Sequence, residues 1–146
     1  MRSLIFCICL SIAGLGNAIE QKLYKQHGDY KIFYSAFGTA FIAPDIAVAN
    51  NIVRGKDKGL VNIAVVQELG TGLPAQITGR VSNILQQSQN LEFVAVREQN
   101  TIYYLAPFEF DNEDFLTFKI RVLPQSSGPT AVYPYDFKFQ KKMYID

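Results

Sequence analysis

The chain has 146 residues, of which 49% are hydrophobic; 14 lysines and arginines face 13 acidic residues, and there is a single histidine. This length fits one domain, and the near-balance of charge gives no electrostatic reason to expect nucleic acid or an anionic membrane as partner. The only cysteines are Cys7 and Cys9, so the body of the chain lacks the three or four Cys or His ligands that a zinc site needs.

Residues 1–18, MRSLIFCICLSIAGLGNA, read as a cleaved signal peptide. Arg2 precedes an apolar run from Leu4 to Leu15, and Gly16 and Ala18 supply the small residues that a signal peptidase requires. The run is shorter than the roughly 20 residues of a membrane-spanning helix, and neither cysteine follows a lipid-attachment pattern, so no stable membrane anchor is expected. Loss of Arg2 leaves 13 basic against 13 acidic residues. Both cysteines leave with the leader, so residues 19–146 form a single domain held without disulfides.

Residues 19–27 form a polar lead-in, and Gly28-Asp29 releases a strand, Tyr30 to Ala36, with Tyr30, Ile32 and Tyr34 on one face. Residues 37–41 extend it, with Gly38 marking a bend. Pro44 to Asn50 is a short helical turn, with Pro early and Asn late. A charged loop, Arg54 to Gly59, leads into a run from Leu60 to Glu68 in which both parities are apolar, as in a strand covered on two sides. After Gly70 to Pro74, the residues Ile77, Gly79, Val81, Asn83 and Leu85 alternate with polar neighbours, and a polar connection follows from Gln86 to Asn90.

Leu91 to Val122 reads as a three-stranded meander with polar turns at Gln99-Asn100 and at Asp111 to Asp114. Pairing across the second turn predicts Phe110 opposite Leu116, Phe108 opposite Phe118 and Ala106 opposite Ile120. Pro124 to Pro129 is a loop. The last strand places Tyr133, Tyr135, Phe137 and Phe139 on one face; Pro134 confines it to an edge or delays its pairing, and Lys141-Lys142 suggests a bulge or an exposed end. About seven strands and one helical turn predict an all-β, antiparallel β-sandwich of immunoglobulin-like kind, with a small barrel as the alternative.

Several segments together, GDYKIFYSAF, PDIAVAN, RGKDKGLVNIAVV, VREQNTIYYLAPFEF and the aromatic strand ending in MYID, resemble the bacterial domain-of-unknown-function family 4426. The resemblance covers essentially the whole chain after the leader. Gly38 and Ala64 depart from its usual Phe-Asn-Ser and Asn-Val-Ser-Val stretches. It implies a small exported protein of Gram-negative bacteria, hence periplasmic, and supplies no activity, cofactor or catalytic residue.

Few residues offer chemistry. A Ser-His-acid arrangement would have to use His27 with a serine such as Ser35, and nothing resembles a nucleophile elbow. Gly70-Thr71-Gly72 lacks the helix and lysine of a phosphate loop. Asp111, Glu113 and Asp114 are the best oxygen ligands for calcium, although their spacing matches no calcium motif and an acidic turn serves solubility equally well. Arg54 and Lys56 could take an anion, Asn62 could orient a ligand or satisfy a loop, and Tyr103, Phe33 and Tyr144 would form an aromatic platform if they cluster. Carboxylates such as Glu92, Glu98 and Glu109 are the material for an enzyme, should two face each other.

The expectation is therefore a non-enzymatic periplasmic binding module with no cofactor, acting on another envelope protein or on an extended peptide at an open strand edge. A small-ligand or glycan binder using an aromatic face is the alternative.

Overall fold

Alternating apolar and polar side chains sort the chain into two antiparallel sheets whose apolar faces meet. The computed structural model describes residues 24–67, 72–125 and 133–145; the expected signal peptide at residues 1–18 and most of the loop after Pro124 lie outside them. In chain order the strands are β1 (Tyr24–His27), β2 (Tyr30–Gly38), β3 (Lys58–Val66), β4 (Ala75–Ser82), β5 (Ser88–Glu92), β6 (Val94–Glu98), β7 (Thr101–Glu109), β8 (Asp114–Pro124) and β9 (Tyr135–Met143). A 3-10 turn, Thr39–Phe41, and one helix, α1 (Pro44–Ala49), lie between β2 and β3. One sheet has the order β1-β2-β3-β7-β6 and the other β5-β4-β8-β9. This is the antiparallel sandwich that the periodicity predicts. Two separate sheets replace the barrel alternative.

The core is the inner parity of both sheets. Ile32, Val61, Ile63, Val65, Ile102, Ala106 and Phe108 meet Val81, Leu91, Leu116, Phe118, Ile120, Val122 and Phe137. At its centre the Phe118 ring, 0% exposed, lies edge-on to Phe108 at 5.2 Å and stacks on Phe139 at 4.7 Å. Phe139 in turn meets Tyr34 at 4.7 Å, so rings run continuously from one sheet to the other. Gly59 makes room for this arrangement. It pairs with Phe108 in the ladder, and a Cβ there would lie 2.3 Å from the Phe108 ring.

The meander is the main correction. β6 and β7 form the predicted hairpin around Gln99-Asn100, with Glu98 opposite Thr101. Phe108 and Phe118, however, are not ladder partners: β7 is flanked by β3 and β6, and β8 by β4 and β9. The Asp111–Asp114 turn carries the chain from one sheet to the other. Alternation fixes which face of a strand is buried. It does not distinguish a neighbour beside the strand from one facing it across the core, because both bury the same side chains.

Other departures have local causes. The strand count rises to nine because two polar stretches are edge strands. β1 pairs with β2 through a two-residue turn whose first position is Gly28, at φ 59. β5 buries only Leu91 among its residues, and the chain switches sheets at Phe93. β4 ends at Ser82, not near Leu85, because the Asn83 Oδ1 accepts hydrogen bonds from the backbones of Leu85 and Gln87 and turns the chain. Residues 39–41 leave the sheet after Gly38, since the buried Thr39 hydroxyl donates to the Gly55 carbonyl and accepts from its N–H. β9 starts at Tyr135, leaving Tyr133 exposed, and continues without a bulge past Lys141-Lys142 to Met143, opposite Asp114. Lys141 keeps the inward parity there, and its ammonium donates to the Ala36 carbonyl on the facing sheet.

Side chains also stitch the corners. The Tyr104 hydroxyl accepts from the Ala75 N–H at 2.8 Å. β6 accompanies β7 only as far as Leu105. Two residues on, Pro107 has no N–H to offer a further partner. Beyond it the Gln89 amide donates to the Glu109 carbonyl at 2.7 Å and accepts from the Glu109 N–H at 2.9 Å.

Phe118→Ala should lower the unfolding free energy by about 3–5 kcal/mol, the range for emptying a buried aromatic site. Gly59→Ala should cost about 1–3 kcal/mol, because the new methyl enters space held by a ring that cannot retreat. Urea unfolding midpoints measure both, and a change under half a kilocalorie at either site contradicts the packing described.

Candidate functional site

β3 is the central strand of the five-stranded sheet, so its outward side chains have neighbours on both sides. Asn62 faces out between Ser35 on β2 and Leu105 on β7, and Ala64 lies beside Phe33. Ala64 is small, and the rings beside it are large. The difference leaves a hollow of about 330 Å³ lined by Phe33, Ser35, Asn62, Ala64, Val66, Thr101 and Tyr103, with Tyr34 contributing as well. Phe33 is 39% exposed, and its ring lies 5.4 Å from that of Tyr24, whose face carries the Lys31 ammonium at 5.1 Å.

One polar atom in this hollow stands out chemically. The Asn62 Oδ1 is buried and accepts no hydrogen bond from a described residue. An unmet buried acceptor costs on the order of 1–3 kcal/mol. A ligand donor, either a hydroxyl or an amide N–H, would meet it while a flat ring or apolar face lay against Tyr103 and Phe33.

The structure thus brings together four of the residues named from sequence, Asn62, Tyr103, Phe33 and Ser35. It separates the others. Tyr144 is 60% exposed and lies with Phe37, Phe41 and Lys142 in a different depression, under the Lys142 ammonium at 5.6 Å. Arg54 donates to the Ala40 carbonyl at 3.1 Å, which ties its loop to the 3-10 turn, and Lys56 is exposed on the same loop and does not line the hollow.

In the acidic turn, the Asp114 carboxylate accepts from the Asp111 N–H and the Asn112 amide oxygen accepts from the Ile145 N–H, so two of its oxygen donors serve the backbone. Among the described residues, no group of three or more His, Cys, Asp or Glu side chains is placed to hold a metal ion. Glu92, Glu98 and Glu109 sit on three different strands. Glu109 pairs with Lys58 at 2.9 Å, and that hydrogen bond raises the lysine pKa. His27 packs on Tyr135 at 4.8 Å with Nε2 against the Tyr133 carbonyl, while Ser35 lies five residues along β2 from the His27 partner Tyr30, about 16 Å away at the usual strand rise.

Sequence reasoning passed over Ala64 and Thr101 as parts of a site. The signal was the small residue at an outward position of a strand apolar on both parities. It also did not single out Arg80, Lys119 or Lys138.

The family model for the domain of unknown function DUF4426 matches residues 24–146. A crystal structure of a DUF4426 family protein from Pseudomonas aeruginosa is similar at 28% sequence identity, with a TM-score of 0.72 over 84% of this chain and 94% of that one. FetP from a uropathogenic Escherichia coli strain, produced in the periplasm of Escherichia coli, shares 11% identity with a TM-score of 0.60, over 84% and 93% of the two chains. A copper-bound variant of FetP gives 11% and 0.56, over 82% and 92%. At that identity the likeness to FetP is one of fold. No curated protein sequence matches the chain.

Replacing Asn62 with valine removes the unmet acceptor and suits a strand. Asn62→Val should therefore raise the unfolding free energy, by about 1 kcal/mol. A lower urea midpoint for this variant would show that the amide serves the fold.

Proposed function

The chain belongs to the DUF4426 family, and from that premise we propose that it is a non-enzymatic binding module of the cell envelope that holds a small ligand or glycan unit on its aromatic face. The buried Asn62 Oδ1, unpartnered among the described residues, in the hollow that Phe33 and Tyr103 also line, carries this reading. A sugar or an acetylated amino sugar supplies both complements: an apolar ring face for stacking and a hydroxyl or amide N–H for the oxygen. Copper is not part of the proposal, because His27 is the one histidine and the methionines are Met1 and Met143.

The edges argue against strand addition as the main mode. The β9 edge meets the facing sheet through Lys141 and His27, and β5 is tied down through Gln89. That leaves β1, with four residues, and β6, with five. Short edge strands discourage pairing with other chains. A second reading keeps β6, whose Val96 stands opposite Tyr103, as the site where an extended peptide would add next to the hollow.

Export through residues 1–18 belongs to the same proposal and predicts a mature protein beginning at Ile19. Mass spectrometry of protein recovered from periplasmic extract checks it; a chain retaining Met1 in the cytoplasm contradicts it.

Isotope-labelled protein titrated with chitotetraose and with maltotetraose tests the site. Backbone amide shifts are expected at Asn62, Ala64 and Tyr103, and Tyr103→Ala should weaken binding about tenfold, the size of a lost stacking contact. Shifts confined to β6 with an extended peptide probe would favour the second reading. Silence from both sugars at millimolar concentration would sink the first.

A further inference from the structure

The outward face of the four-stranded sheet, across the molecule from the hollow, carries side chains that the proposed function does not use. The register sets Asn90, Arg80, Lys119 and Lys138 in one line across β5, β4, β8 and β9. All four are exposed. Neighbouring strands lie about 4.8 Å apart, so the three cationic residues are rooted within about 10 Å of one another. Like charges directly opposite on adjacent strands destabilise a sheet, and this row contains two such pairs in succession.

Nearby carboxylates do not relieve it. Asp136, one row along, is held by Arg121 in a two-point pair, Nε to Oδ1 at 2.7 Å and Nη2 to Oδ2 at 2.9 Å. That hydrogen-bonded pairing keeps the Asp136 carboxyl below its ordinary range. Glu92 stands opposite Thr78, diagonal to Arg80. Among the described residues the ion pairs are Lys58–Glu109 and Arg121–Asp136, and neither Lys119 nor Lys138 forms an ion pair or hydrogen bond to a described residue. Arg80 reaches only the Ser88 hydroxyl, at 3.4 Å.

A face kept merely soluble mixes both signs of charge. Here three cations of one row line an open trough of about 630 Å³, whose one carboxylate, Asp136, is taken up by Arg121. We propose that this row is a binding site for a compact phosphate polyanion the size of a di- or triphosphate group. A single carboxylate brings one negative charge to three cations, whereas linked phosphates bring several within the same span. The planar fork of Arg80 suits two phosphate oxygens, and the lysines act as point charges beside it. Asn90 and Thr78 add neutral donors at the end of the row and alongside it. The site is independent of the aromatic hollow, which occupies the other sheet, so either can fail alone.

Titration of the isotope-labelled protein with sodium tripolyphosphate tests this. Saturable amide shifts are expected at Arg80, Lys119 and Lys138, with affinity falling as salt rises. Lys119→Ala should weaken binding about tenfold, the scale of one charge-assisted contact, while Arg97→Ala, on β6 of the other sheet, should leave it unchanged. Circular dichroism confirms that each variant is folded. Absence of shifts at millimolar tripolyphosphate overturns the proposal, as does equal weakening by both variants, which would mean diffuse attraction. Capture by phosphatidylglycerol vesicles without any response to tripolyphosphate also overturns it, since the face would then read a membrane surface.

Discussion

The Phe118 ring, held between Phe108 and Phe139, is the contact on which the rest of the molecule depends. It belongs to one sheet and meets a ring from the other, while Phe139 beside it meets Tyr34, so the two layers cannot slide without breaking both cross-layer ring contacts. Each such pair contributes about 0.5–1.5 kcal/mol beyond simple burial. The notch at Gly59 sets how deeply Phe108 sits, and hence the spacing of the layers at this point. With no tryptophan and no cysteine after Cys9, this aromatic relay does the cross-layer work that a disulfide performs in many sandwiches.

Because the layers are fixed from within, their outer faces are free to differ. One is built around β3, whose outward residues include the small Ala64 and the amide Asn62 between larger neighbours. The other carries arginine and lysine side chains in register across three strands. The first face offers shape and an unmet acceptor; the second offers charge. Neither face includes the short helix, whose one buried residue is Ala47.

Much of the fold was legible in the sequence because burial has a two-residue period in β7, β8 and β9 and a continuous apolar run in β3. The inward parity of Ile102, Tyr104, Ala106 and Phe108 follows directly from that pattern. What the pattern could not carry was partnership. Phe108 and Phe118 were expected side by side and are found face to face, since periodicity records how deep a side chain lies and not which strand lies next to it. Edge strands β1 and β5 were missed because strands with little to bury show little alternation. The site was half legible: Asn62, Tyr103 and Phe33 were named and do converge, while Tyr144 was grouped with them by parity alone. The basic row was invisible, because Arg80, Lys119 and Lys138 come from three strands distant in sequence and only the ladder aligns them.

The Gln89 side chain has a consequence for how the molecule behaves in company. Its carboxamide has the same donor and acceptor as a peptide bond, and it occupies the stretch of β7 that Pro107 and the early end of β6 leave without a strand. An incoming copy seeking to lengthen the sheet there meets a position already filled, from within the same chain. The rim is thereby closed to strand addition at Glu109 by a single uncharged residue.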